Sequence, residues 1–76
     1  MTLADGKIEK DYIVEKVNLP LTLEKRMESL GMTIGSKVTL VHQKRNKTSV
    51  ILIRGTKFAI GRDVASNIDV REALDE

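Results

Sequence analysis

Apolar positions recur along this chain with two different periods. Leu23, Met27 and Leu30 fall at helical spacing and form one stripe. Elsewhere, short runs rich in β-branched residues read as strands. The stretch Arg26–Val38 joins the two regimes. Gly31 follows the last apolar residue of the stripe, where a residue without Cβ best ends a helix in the left-handed conformation. Met32 is then placed to fold back on the last helical turn. Thr33-Ile34-Gly35-Ser36 supplies a second glycine at turn spacing.

In chain order, Met1–Lys10 is polar, with Leu3 and Ile8 as aliphatic anchors and a turn at Asp5-Gly6. Asp11–Val17 reads as the first strand, Tyr12 and Val14 sharing one face, with a bulge or strand end near Glu15. Pro20 confines the helix start to positions after Leu19, with Thr22 as N-cap and Glu24 in the first turn. Lys37–Gln43 reads as the second strand. Lys44–Lys47 forms a hairpin loop in which Asn46 takes the left-handed conformation. Strands at Thr48–Arg54 and Lys57–Ile60 flank a tight turn holding Gly55. A single helical or 3₁₀ turn within Gly61–Asn67, with Asp63 as its cap candidate, leads to a last strand at Ile68–Val70. Arg71–Glu76 reads as a frayed tail. Five short strands and one helix predict a mainly β fold, a small SH3-like, partly open barrel. Residues 1–76 form one domain with its core in about 3–70.

Composition narrows this picture. A chain of 76 residues buries only about 60% of its unfolded surface, so every core position counts. Tyr12 and Phe58 are the only aromatic residues, so the core is expected to be mostly aliphatic. The absence of cysteine removes disulfides and thiolate ligands, in keeping with a cytoplasmic setting. No run of about 18 apolar residues and no leader pattern is present, so neither a membrane span nor a signal peptide is expected.

Charge is unevenly placed. The formal net charge is +2, yet Ser29–Arg62 contains no Asp or Glu. That window holds Lys37, Lys44, Arg45, Lys47, Arg54, Lys57 and Arg62. Such a segment is either a solvated face or a surface for an acidic partner, a phosphate backbone or a lipid headgroup. Lys44, Arg45, Lys47, Arg54 and Lys57, on two hairpin tips, are the candidate partner-binding residues.

Candidate chemistry is sparse. His42 stands alone, and regular alternation places it at the rim of the core or near the hairpin edge. Without a second histidine or a cysteine, tight zinc or copper binding is not expected. Glu24 and Glu28, four apart on the helix, offer oxygen ligands suited to hard ions and equally an exposed acidic face. No glycine-rich phosphate loop and no nucleophile–base–acid spacing is present. The expectation is a non-enzyme with no catalytic residues, no metal site and no cofactor. The turn glycines Gly31, Gly35 and Gly55 are structural.

The ordered set Arg26–Val38, then Arg54–Gly61, then Ala65-Ser66-Asn67-Ile68-Asp69-Val70, with Leu3 ahead of it, resembles the FeoA family, the ferrous iron transport protein A group. It is similar to that family's pattern of a basic residue, Leu-Gly-hydrophobic-x-x-Gly-x-x-Val, a closing hairpin and an A-x-x-I-x-V ending. Two departures stand out. Lys44-Arg45-Asn46-Lys47 replaces a loop that commonly holds prolines, and Gly61 occupies a position where arginine is common. The resemblance implies a cytosolic SH3-like module serving a membrane ferrous iron permease with a cytosolic GTP-binding domain. The alternative it implies is a metal-sensing regulatory domain related to the C-terminal domain of iron- or manganese-dependent repressors. The basic charge leaves a nucleic-acid-binding barrel as a further alternative, although the aromatic platforms such proteins stack on bases are missing, so nucleic acid is not the expected partner.

Overall fold

The computed structural model describes residues 1–74. Five strands, β1 (Asp11–Val17), β2 (Lys37–Gln43), β3 (Ser49–Ile53), β4 (Thr56–Ile60) and β5 (Ile68–Glu72), form one antiparallel sheet in the order β4-β3-β2-β1-β5. The helix α1 (Leu21–Ser29) links β1 to β2, and the single turn α2 (Arg62–Ala65) carries the chain from one sheet edge to the other. A 3₁₀ turn, Leu3–Asp5, precedes them. The sheet is unclosed, as expected for a small SH3-like, mainly β domain.

One face of every strand supplies the core: Tyr12 and Val14, Val38 and Leu40, Ile51 and Ile53, Ile60, then Ile68 and Val70. Leu3, Met27, Met32 and Ala65 complete it. The Tyr12 ring is fully buried, and its hydroxyl accepts the Lys7 N–H at 2.7 Å, so its polar end is satisfied. Ile8, expected as an anchor, is exposed, and Leu3 alone fills that role.

The α1–β2 junction has the expected glycine stop. Gly31 adopts φ 103°; its N–H donates to Glu28 O at 2.9 Å, and the Met32 N–H donates to Met27 O at 3.0 Å. These two bonds satisfy helix-end carbonyls and return the Met32 side chain to the core. The stripe, however, stops one residue short. Leu23 is half-buried and Met27 buried, but Leu30 is 42% exposed. Leu30 is the C-cap, where the chain turns away, and Met32 takes the place in the core that Leu30 was expected to hold. The N-cap is Pro20, not Thr22. Its carbonyl accepts the Glu24 N–H at 2.9 Å, so the helix opens two residues earlier.

Two bulges set which way side chains face. The β1–β5 register shifts between Val14 and Lys16, as expected near Glu15. The β2–β3 register shifts between Leu40 and His42. That extra residue, Val41, ends the alternation, and His42 lies exposed near the hairpin end of β2, the second of its two expected places, rather than at the core rim. In the β2–β3 loop Lys47, not Asn46, has the left-handed backbone, at φ 68°. The Asn46 Oδ1 instead accepts the Thr48 N–H. The β3–β4 connection keeps its expected two-residue length but sits one residue earlier. Ile53 pairs with Thr56 across Arg54 (φ 50°) and Gly55 (φ 80°), a two-residue turn.

At α2 the cap is Gly61 rather than Asp63, which lies in the first turn and whose carbonyl accepts Asn67 Nδ2. Arg71 and Glu72 are not frayed. They belong to β5 opposite Ile13 and Tyr12, and the Ala73 N–H donates to Asp11 O at 3.0 Å. Asp75 and Glu76, the rest of the expected tail, lie outside the described residues.

Candidate interaction surface

The sheet is electrically lopsided. Its β1–β5 half carries Asp11, Glu15, Asp69 and Glu72, whereas β2, β3, β4 and their turns carry no carboxylate. The ion pairs of the described residues follow that division. Lys10 meets Glu72 at 3.4 Å, Arg71 meets Glu15 at 3.9 Å, and Lys37 meets Asp11 at 3.3 Å, all among partly exposed side chains. Of the seven cations in the acid-free window, Lys37 alone is paired with an acid among the described residues. Exposed pairs of this kind contribute little to stability.

The Thr39 hydroxyl, donating to Asp11 Oδ1, pulls the Asp11 pKa below its ordinary value. Partial burial pushes it back up, and neighbouring Lys37 lowers it again. A polar recess lies beside this group, lined by Glu9, Lys10, Asp11, Glu72 and Ala73.

The five candidate partner-binding residues do not form one patch. Lys44, Arg45 and Lys47 occupy the β2–β3 tip; Arg54 and Lys57 sit at the β3–β4 turn. These are opposite ends of β3, whose five residues span about 16 Å. Sequence reasoning did not include Arg62 among the contact residues. Because Ser49 pairs with Ile60, the chain past β4 emerges at the Lys44–Lys47 end of the sheet, and Arg62 joins that group. Hairpin register was the signal that could have placed it there.

Arg54 has a second role. A Cβ on Gly31 would lie 3.1 Å from Arg54 Cδ and 3.5 Å from its Nε, so the Arg54 stem rests on the glycine at the helix C-terminus. A cation there faces the negative end of the helix dipole. Gly35 (φ 87°) closes a turn in which the Ser36 N–H donates to Thr33 O, and it has open space around it. That turn displays Ile34, 74% exposed. Glu24 and Glu28 lie on α1 and His42 on the outer side of β2. Among the described residues, no group of three or more His, Cys, Asp or Glu side chains is arranged to hold a metal ion. No helix of the described residues is long and apolar enough to cross a membrane.

Fold and surface together define a class: a small SH3-like domain with an unclosed five-stranded sheet and a cationic half. The FeoA domain model matches residues 1–72, and the chain belongs to the FeoA family. It is 34% identical over 71 residues to a protein of Methanocaldococcus jannaschii that carries the name Fe(2+) transport protein A. That match covers 93% of this chain and 85% of the relative. The solution structure of FeoA from Chlorobium tepidum superposes with a TM-score of 0.89 at 23% identity, covering all of this chain and 74% of that one. The manganese regulator SloR contains a similar fold, with a TM-score of 0.80 at 23% identity, over 95% of this chain and 34% of the regulator.

Proposed function

We propose that this protein is an accessory factor of ferrous iron uptake that acts by contact with a membrane Fe(II) permease bearing a cytosolic GTP-binding domain. The family and the Methanocaldococcus relative's name support the iron-transport part. The observation that carries contact as the mode of action is the carboxylate-free half of the sheet. Its six cations Lys44, Arg45, Lys47, Arg54, Lys57 and Arg62 have no acid partner among the described residues. Unpaired surface cations of one sign steer an acidic partner and select against a basic one. The protein works in the cytoplasm on this reading, without turnover of its own.

The test is retention of the permease's cytosolic region on the immobilised chain at low and moderate salt. Retention that weakens with salt, and weakens further in Lys44→Glu/Arg45→Glu/Lys47→Glu or Arg54→Glu/Lys57→Glu, supports the reading. No retention at either salt overturns it. Because the two groups lie at opposite ends of β3, one reversal set abolishing binding while the other leaves it unchanged identifies which end meets the partner.

The likeness to SloR supports a second reading, a metal-responsive regulatory domain. Titration with ferrous or manganous ion, following amide shifts near Glu24, Glu28 and His42, tests it. Localised shifts at micromolar metal would support it, and their absence would overturn it.

A further inference from the structure

The two edges of the sheet are treated differently. The β5 edge is covered: Thr2 bridges Asp69, and the Val70 N–H donates to Met1 O at 2.9 Å. The β4 edge has no such cover among the described residues. β4 pairs with β3 and lies at the end of the sheet order. A two-residue hairpin makes Ile53 and Thr56 a hydrogen-bonded pair. Strict alternation along this register then directs Phe58 and Ile60 toward β3 as well. The backbone N–H and C=O of Lys57 and Ala59 are therefore left pointing outward. Both residues are exposed, so these four groups face solvent.

We propose that this edge binds an extended acidic segment of a partner protein as a sixth strand. The backbone of Lys57 and Ala59 supplies the ladder, since an unpaired strand edge is a template for another chain. Charge selects the occupant. Arg54 and Lys57 lie at one end of β4, Arg62 follows the other, and no carboxylate lies on β2, β3, β4 or their turns. A second copy offering its own β4 would bring like charges together, and its more acidic β5 edge is already covered. The two faces of the added strand would differ. Lys57 shares the outer face with Leu52, while half-buried Phe58 lies on the core side opposite Ile51. A fitting segment thus alternates acidic and apolar residues. The proposal does not depend on iron or on the permease, and its test uses neither.

The probe is a capped heptapeptide, Thr-Glu-Val-Glu-Val-Glu-Thr, titrated into the full-length ¹⁵N-labelled chain, with the Lys-for-Glu peptide as control. The expected result is a set of amide shifts centred on Lys57 and Ala59, with exchange of those two amides slowed about tenfold. Affinity should fall at least about fivefold when salt is raised from about 0.05 to 0.5 M, as screening shortens the reach of the cations. Ala59→Pro removes one outward N–H at an edge position where proline is tolerated, and should abolish the shifts with core amides unmoved. Lys57→Glu keeps the backbone and should invert the preference toward the lysine peptide, so the test survives if the proline variant does not fold. Shifts absent from Lys57 and Ala59, equal binding of both peptides, or peptide-free self-association that protects β4 would each overturn the proposal.

Discussion

Gly31→Ala tests the junction on which the helix and sheet depend. Two costs act there. The backbone at φ 103° is hostile to an L-residue, and left-handed geometry costs about 1–2 kcal/mol. The new Cβ would also approach Arg54 Cδ to 3.1 Å, and shifting that flexible stem off its rotamer costs about 0.5–1.5 kcal/mol. Lower chain entropy in the unfolded alanine variant returns about 0.4–1 kcal/mol. The expected net loss is about 0.5–3 kcal/mol. Gly35→Ala is the internal control, because φ is 87° and nothing lies within 4 Å of its Cβ site, leaving only the backbone cost. Urea unfolding of both variants measures the two losses, and Arg54→Ala in the Gly31→Ala background should recover the excess. For a domain of this size the shift in Tm is roughly 4–8 °C per kcal/mol, and a total stability on the order of 4–11 kcal/mol keeps the variants folded. Equal losses at both glycines, untouched by Arg54→Ala, would refute the contact. Losses below about 0.3 kcal/mol at both would refute the left-handed stop itself.

Met27→Ala should cost about 2–5 kcal/mol by opening the core under α1, whereas Leu30→Ala should cost well under 1 kcal/mol; thermal unfolding separates them. Ser49 Oγ is fully buried with no hydrogen-bond partner, so Ser49→Ala should stabilise the fold by about 1 kcal/mol, seen as a higher urea midpoint. The Asp11 pKa is lowered in the folded state, so its contribution is present above the unfolded value and lost as pH falls through the folded one. Stability should therefore drop on acidification below about pH 3.9, and Asp11→Asn or Thr39→Val should flatten that part of the urea-midpoint profile.

Much of the fold was legible because local and global signals agreed. Glycine at the helix stop, β-branched runs and short turns all point to the same topology. Two of the misses share a cause: one residue's displacement that no period shows. Val41 adds a residue to β2, and everything after it changes face, which carries His42 outward. Leu30 obeys helical spacing, yet the helix has ended at Ser29, so spacing no longer fixes where its side chain goes. Arg71 and Glu72 look like tail residues, but β1 offers them a ladder, and pairing overrides composition.

The site was less legible for a different reason. Sequence counts charges, but only register says which of them are neighbours. The acid-free window runs through two consecutive hairpins, and a hairpin returns the chain to the end of the sheet it left. Cations close in sequence, such as Lys47 and Arg54, are thereby sent to opposite ends, while Lys47 and Arg62 come to the same one. A single patch needs clustered side chains; a strand edge needs only like charge along its length and backbone groups left open. The arrangement meets the second requirement and not the first. Contact through β4 therefore accounts for the separated cations, the missing carboxylates and the uncovered edge with one partner strand, where a compact charged epitope accounts only for the charge.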